Sequence, residues 1–157
     1  MTPEAMGVQL RLSHLKQREE RLLDFRDPGD RVHLLPTGRV VFIIHGWLER
    51  TTSHRWIVTM RDTFVSYGES VIVVDWRKGN AGQYWQSLSN TRVVGAMLGR
   101  AILNWDIAHR TLMVGFSLGG QIIGEAGLFT QVNSGTRRTL INECHALDPG
   151  THAPLVS

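Results

Sequence analysis

The chain has 157 residues, of which 42% are apolar and 20% are charged, a composition typical of one folded globular domain or part of one rather than of a disordered chain. Its formal net charge is only +3, and no basic run marks a nucleic-acid-binding arm, so we expect no nucleic-acid partner. The single cysteine, Cys144, excludes an intramolecular disulfide. No stretch of about 18 apolar residues predicts a transmembrane segment, and no signal peptide is visible at the N-terminus.

Two weak elements precede the main pattern. Four leucines at helical spacing predict a short solvated helix within the first 31 residues: Leu12, Leu15, Leu22 and Leu23. The sequence Asp-Pro-Gly-Asp at 27–30 predicts a turn.

Four short apolar runs then alternate with helical patterns, and the runs suit strands that are buried on both faces. The predicted strands span 39–44, 71–74, 111–114 and 140–147. The predicted helices span 55–66, 94–105 and 120–127, and the predicted loops span 77–82 and 130–139. This order predicts an α/β fold with a doubly wound, mostly parallel sheet. In such sheets the functional residues lie at the carboxyl ends of the strands.

The clearest chemical motif is Gly-X-Ser-X-Gly at 115–119, which follows a predicted strand and precedes a predicted helix. This context is that of a nucleophile elbow, in which Ser117 projects over the edge of the sheet. The N–H of Leu118 and the helix dipole would favour negative charge on a nearby oxyanion. The alternative is a chance match in a chain with 16 glycines. A dinucleotide-binding loop is disfavoured, because Ser117 stands where that motif needs glycine.

Two other strand ends carry candidate site residues. After the first strand, Gly46 would let the backbone approach a substrate closely, and the N–H of Trp47 would be a second oxyanion donor. His45 precedes the serine, so we expect it to be a structural polar group rather than the base. Asp148 fits the order Ser…Asp…His, in which the acid orients the histidine. The alternative for Asp148 is a turn-initiating Asp-Pro.

The catalytic base is the weakest part of this pattern. Only His152 follows Asp148, whereas a triad histidine in this fold normally comes from a separate, later loop. We interpret the remaining histidines as surface or core residues. No zinc-ligand spacing and no phosphate-binding lysine motif is present, so we expect no metal ion and no cofactor.

Several blocks of residues occur in a particular order along the chain. They are 41–47, 73–76, Tyr84, Asn90, Arg92, 94–96, 115–119, 124–127 and 147–149. Together these blocks resemble the pancreatic-lipase family over about residues 38–150. The resemblance leaves residues 1–37 as a divergent N-terminal segment of a single partial domain that spans 1–157.

The resemblance implies an α/β-hydrolase fold and hydrolysis of lipid carboxylic esters at a membrane or droplet surface, through an acyl-enzyme. Triacylglycerols are the implied substrates, with phospholipase A1-type specificity as an alternative. Ser117 would be the nucleophile, Asp148 the triad acid, and the backbone N–H groups of Trp47 and Leu118 the oxyanion hole. Tyr84 would line the acyl site. Members of this family are usually secreted, so the resemblance implies an extracellular location.

The chain also departs from the family pattern. Phe116 stands where the family usually has histidine, and the spacing before Asp148 predicts a loop insertion near 129–139. Blocks for the lid, the later strands, the triad histidine and the calcium-binding segment are not found. We therefore expect a C-terminally truncated hydrolase domain with ester hydrolysis near background. The alternative is an inactive lipase-like fragment that binds lipid or a partner protein. An unpaired strand edge in such a domain predicts self-association.

Overall fold

A computed structural model describes residues 1–49, 54–135 and 139–148. In these residues, six strands form one sheet in the order β2-β1-β4-β3-β5-β6. The strands are β1 (Gln9–Ser13), β2 (Arg21–Leu23), β3 (Val40–Ile44), β4 (Ser70–Asp75), β5 (Thr111–Phe116) and β6 (Glu143–Leu147). The helices are α1 (Pro3–Met6), α2 (Arg55–Ser66), α3 (Arg77–Asn80), α4 (Tyr84–Asn104) and α5 (Leu118–Asn133), with 3₁₀ turns at Pro28–His33 and Ala108–Arg110.

The centre of the sheet is parallel. Strand β3 pairs in parallel with both β4 and β5, and β5 pairs in parallel with β6. Every residue of β3 is buried, because helices cover both faces, and this explains why its sequence is a continuous apolar run rather than an alternating one. The predicted α/β fold with a mostly parallel sheet is confirmed.

The core has two layers, one on each face of the sheet, because successive side chains of a strand point to opposite faces. On the larger layer, Phe42 and Ile44 of β3 pack with residues of α4 and α5, among them Leu98 and Ile122. On the smaller layer, strand residues pack under α2: Val41, Ile43, Val71, Val73, Leu112, Val114 and the helix residue Ile57. Helices α4 and α5 therefore lie on one face, and α2 lies on the other.

The helix predicted within the first 31 residues is wrong, because that segment forms the antiparallel strands β1 and β2. Strand β1 also pairs antiparallel with β4. Leu10 and Leu12 point into the core, whereas Arg11 between them points outward and pairs with Glu20 at 2.8 Å. This is the period of two that a half-buried strand requires. Pairing with β4 therefore overrides the helical spacing of the leucines.

Other predicted boundaries also change. The loop predicted over 77–82 contains the short helix α3, α4 begins ten residues before the predicted start at 94, and α5 extends through Asn133. Strand β6 is shorter than predicted and lies at the edge of the sheet. Its residues after Glu143 are exposed. Among the described helices, none has both the length and the apolar character that a membrane crossing requires.

Candidate active site

The turn between β5 and α5 consists of one residue, Ser117, with φ 55° and ψ −119°. This backbone conformation is strained for any residue with a Cβ. The flanking glycines are required by space: a Cβ on Gly115 would overlap the backbone of Gly119, and a Cβ on Gly119 would overlap the carbonyl of Ile44. The strand–turn–helix context that the motif predicted is therefore present. The N–H of Leu118 lies in the first turn of α5, where backbone donors have no partner within the helix.

The loop that follows β3 packs directly against this turn. A Cβ on Gly46 would lie 3.0 Å from the Cβ of Ser117 and 2.9 Å from the carbonyl oxygen of Phe116. Strands β3 and β5 are neighbours in register, with Ile44 opposite Gly115, so their carboxyl ends meet at one point. The absence of a side chain at Gly46 brings the Gly46–Trp47 peptide beside the serine.

Buried polar groups fix the orientation of that peptide. His45 Nε2 accepts the backbone N–H of Trp76 at 3.3 Å, so Nδ1 of the neutral ring carries the proton and donates to the Gly46 carbonyl at 3.1 Å. Asn80 Nδ2 donates to the same carbonyl at 2.7 Å. Since the peptide bond is not cis, the N–H of Trp47 points away from Asn80. His45 thus has the structural environment that its place before the serine led us to expect.

Stability should depend on pH through His45, because burial lowers the pKa of its imidazole below 6.5. Below about pH 6.5 the unfolded chain binds a proton at this position that the folded chain excludes. We therefore expect the free energy of unfolding to fall with pH from 7 to 5, by at most about 1.4 kcal/mol per pH unit from this group. Urea unfolding of wild type and His45→Asn at both pH values measures this slope. An equal slope in the two chains would contradict the assignment.

An aromatic cluster extends outward from the loop after β3. The ring of Trp47 contacts Tyr84 edge-on at 5.5 Å, and Tyr84 contacts Trp85 at 5.7 Å. The Trp47 indole N–H also donates to the Gly82 carbonyl at 3.2 Å. Trp85 is 70% exposed. The structure thus brings together Trp47 and Tyr84, two of the residues that the resemblance assigns to the site.

Asp148 is the last residue that the structure describes and directly follows β6. Its φ is 47°, so the chain turns immediately after the strand. The preceding residue, Leu147, accepts the backbone N–H of Ser117 through its carbonyl at 2.9 Å. The backbone of Ser117 is therefore joined by a hydrogen bond to the residue that precedes Asp148. His152 and part of the predicted insertion, 136–138, lie outside the described residues.

Two residues that the sequence analysis did not single out also shape the site. Asn80 holds the Gly46 carbonyl, although it lies in a segment predicted as a loop. The carboxylate of Glu49 accepts the N–H of Gly46 and the indole N–H of Trp56 at 3.3 Å. A polar residue three positions after a strand-end glycine was the available signal for Glu49. Within the described ranges, no group of three or more His, Cys, Asp or Glu residues is arranged to hold a metal ion.

Comparison with known proteins shows several pancreatic lipase relatives. Inactive pancreatic lipase-related protein 1 of Mus musculus is 36% identical over 93 residues, which are 55% of this chain and 19% of that protein. The human protein of the same name is 35% identical over 135 residues, or 80% of this chain and 29% of the relative. Pancreatic triacylglycerol lipase of Myocastor coypus is 35% identical over 101 residues, 60% of this chain and 22% of the relative. The chain therefore spans less than a third of the length of these relatives.

Among solved structures, esterase Est22 is similar, with 18% identity and a TM-score of 0.45, covering 89% of this chain and 44% of that chain. A family model described as Lipase matches residues 30–153, which is most of the chain. The mostly parallel sheet of this chain, with the turn at Ser117 between β5 and α5, has the α/β-hydrolase arrangement. This chain belongs to the lipase family, and its relatives confirm the resemblance to the pancreatic lipases.

Proposed function

We propose that the chain carries the nucleophile and the oxyanion hole of a carboxylic-ester hydrolase that acts on lipids. The observation that carries this proposal is the close packing of the Gly46 loop on the strained turn at Ser117. A strained serine between a strand and a helix, with a glycine loop beside it, is the arrangement that acyl transfer uses.

In the proposed reaction, Ser117 Oγ attacks the ester carbonyl carbon and loses its proton to a histidine base. The N–H groups of Trp47 and Leu118 stabilise the negative oxygen of the tetrahedral intermediate. The C–O bond to the alcohol then breaks, the base protonates the leaving alcohol, and water hydrolyses the acyl-enzyme. Asp148 orients the base through a hydrogen bond and stabilises its protonated form. The hydrogen bond from the Ser117 N–H to the carbonyl of Leu147, the residue before Asp148, supports this pairing of acid and nucleophile.

The aromatic cluster beside the serine supports a lipid substrate. Trp47, Tyr84 and Trp85 form a continuous apolar strip from the loop after β3 to the surface, and aromatic side chains with polar tips suit a boundary between lipid and water. We propose that Tyr84 contacts the acyl chain and that a membrane or droplet surface supplies the substrate. Triacylglycerol is the proposed substrate class, phospholipase A1-type cleavage is the alternative, and we propose an extracellular location, as the family resemblance implies.

Covalent labelling with an alkyl fluorophosphonate tests the nucleophile. The probe forms an Oγ–P bond to an activated serine, while the P–F bond breaks and the serine proton is transferred to a base. Because no described histidine is hydrogen-bonded to Ser117, we expect slow labelling of Ser117 and ester hydrolysis near background. Intact-mass and peptide mass spectrometry measure the modification, with Ser117→Ala and the urea-unfolded chain as controls. Labelling of wild type no greater than that of these controls would contradict the proposal.

A second function is favoured by the names of the similar proteins. Two relatives, 36% and 35% identical, are named as inactive pancreatic lipase-related proteins. The corresponding proposal is an inactive lipase-like chain that binds lipid or a partner protein. Binding to phosphatidylcholine or triolein-containing vesicles, combined with no labelling of Ser117, would favour this second function over the first.

We also propose that the chain self-associates through β6. Among the described strands, β6 pairs on one side only, and Leu147 and Leu140 are exposed near its two ends. Unpaired edges with apolar neighbours favour strand pairing between copies. We expect sedimentation equilibrium, in the presence of a reductant, to show concentration-dependent dimers that weaken in Cys144→Lys, since charge on an edge opposes pairing. A monomer at all concentrations would contradict the proposal.

A further inference from the structure

We infer that Glu49 is a positioning residue, which fixes the backbone at Gly46 and thereby helps to set the orientation of the next peptide, whose Trp47 N–H is placed for oxyanion binding. The inference deepens the proposed function and rests on it. Glu49 itself is not proposed to touch the substrate. Its carboxylate acts through the backbone of the loop after β3.

The two oxygens of Glu49 accept hydrogen bonds from two different elements. Oε2 accepts the backbone N–H of Gly46, and Oε1 accepts the indole N–H of Trp56 at 3.3 Å. The side chain is only 14% exposed, and His54 Nδ1 lies 3.9 Å from Oε1. The carboxylate therefore ties the end of β3 to the first turn of α2. Both of its oxygens are needed as acceptors.

The backbone between these partners is strained. Leu48 has φ 58°, a left-handed conformation that is unfavourable for a bulky residue. Its side chain is 58% exposed, so burial of Leu48 offsets little of this cost. The turn at Leu48 is what returns the Glu49 carboxylate to the Gly46 N–H. Strain of this kind persists only where other contacts fix the conformation, and the bonds of Glu49 are such contacts.

The Gly46 N–H belongs to the His45–Gly46 peptide, and the Gly46–Trp47 peptide that follows is held independently. The carbonyl of Gly46 accepts hydrogen bonds from Asn80 and His45, while its N–H is held by Glu49. Because the N–H and the carbonyl of Gly46 are both held by hydrogen bonds, the direction in which the Trp47 N–H points is also fixed. A Cβ on Gly46 would lie 3.0 Å from the Ser117 Cβ and 3.1 Å from Glu49 Oε2. The carboxylate thus acts at the contact between the loop and the nucleophile.

Charge and geometry predict opposite effects for Glu49. A carboxylate near the oxyanion would disfavour its negative charge, so a role through charge alone predicts faster labelling of Ser117 in Glu49→Gln. A positioning role predicts slower labelling. A glutamine side chain has one acceptor oxygen and one NH₂ group. Placed between the N–H groups of Gly46 and Trp56, it can accept from only one of them, and the other N–H must face the NH₂ group. In a Trp56→Phe background the second donor is gone, so glutamine can again accept the Gly46 N–H.

The experiment compares wild type, Glu49→Gln, Trp56→Phe and the double variant as a cycle. Two quantities are measured on the full chain: the fluorophosphonate labelling rate of Ser117 and the ¹H–¹⁵N resonances of Gly46 and Trp47. We expect Glu49→Gln to shift both amide resonances and to slow labelling about tenfold, against the 10²–10³-fold loss when a whole oxyanion donor is removed. In the Trp56→Phe background the same substitution should have a much smaller effect. Thermal melts confirm that each variant is folded.

The outcomes separate this inference from the proposed function. An unchanged Trp47 amide resonance in Glu49→Gln, or faster labelling, overturns the positioning role. So does an equal effect of Glu49→Gln in both backgrounds. If wild type is not labelled at all, the proposed function fails. The amide resonances then still decide whether Glu49 orients the loop.

Discussion

Replacing Gly119 by alanine should lower the free energy of unfolding by about 3 kcal/mol, because the added methyl group has no space. A Cβ at this position would overlap the carbonyl of Ile44 and lie 3.1 Å from the carbonyl oxygen of His45. Both neighbours are backbone atoms at the end of the central strand, so neither can rotate aside. The overlap can be relieved only if β3 and α5 move apart, and this movement also takes the loop after β3 away from Ser117.

Gly124, on the same helix, is the matched control for this substitution. A Cβ there would meet no atom within 4 Å, so Gly124→Ala should raise stability by about 0.5–1 kcal/mol through its better helix propensity. Urea unfolding followed by circular dichroism measures both variants. If Gly119→Ala were tolerated as well as Gly124→Ala, the close contact of α5 with β3 would be wrong.

Replacing Ser117 by glycine should abolish phosphonate labelling completely while making the fold more stable. The φ of 55° and ψ of −119° at this residue cost a residue with a Cβ about 1–3 kcal/mol. Glycine adopts this conformation without strain, although its greater freedom in the unfolded chain costs about 0.5–1 kcal/mol. The expected net gain is about 1 kcal/mol. Such a gain would show that stability is lost in order to present the nucleophile.

Ser117→Ala is the control, because alanine also removes the hydroxyl but keeps the strained Cβ. Both variants should lose labelling, and only the glycine variant should unfold at higher urea concentration. Equal midpoints for the two variants would mean that the turn carries little strain. Labelling that survived in either variant would show that another residue reacts with the probe.

The central strands could be predicted from sequence because burial on both faces leaves a continuous apolar run, as in Val40–Ile44. The serine turn could also be predicted from sequence, because Gly115 and Gly119 have no space for a side chain and therefore mark the motif. The roles of Ser117 and Asp148 remain predictions, although the structure joins Ser117 to the residue before Asp148.

The N-terminal strands and Glu49 could not be predicted in the same way. Leu12 and Leu22 fit a helical pattern locally, and only the pairing of β1 with β4 and of β2 with β1 selects strands instead. Glu49 reaches the Gly46 N–H through a left-handed turn at Leu48, a conformation that a leucine side chain disfavours. In both cases a distant contact outweighs the local preference of the chain.

The hydrogen bond from the Ser117 N–H to the Leu147 carbonyl implies an order of events during synthesis. The serine and its flanking glycines leave the ribosome before β6 does, because the chain is synthesised from its N-terminus. A nascent chain that ends before Leu147 lacks the acceptor for this N–H. The turn that presents the nucleophile is therefore completed late, when β6 joins β5, and the same addition brings the candidate acid into place.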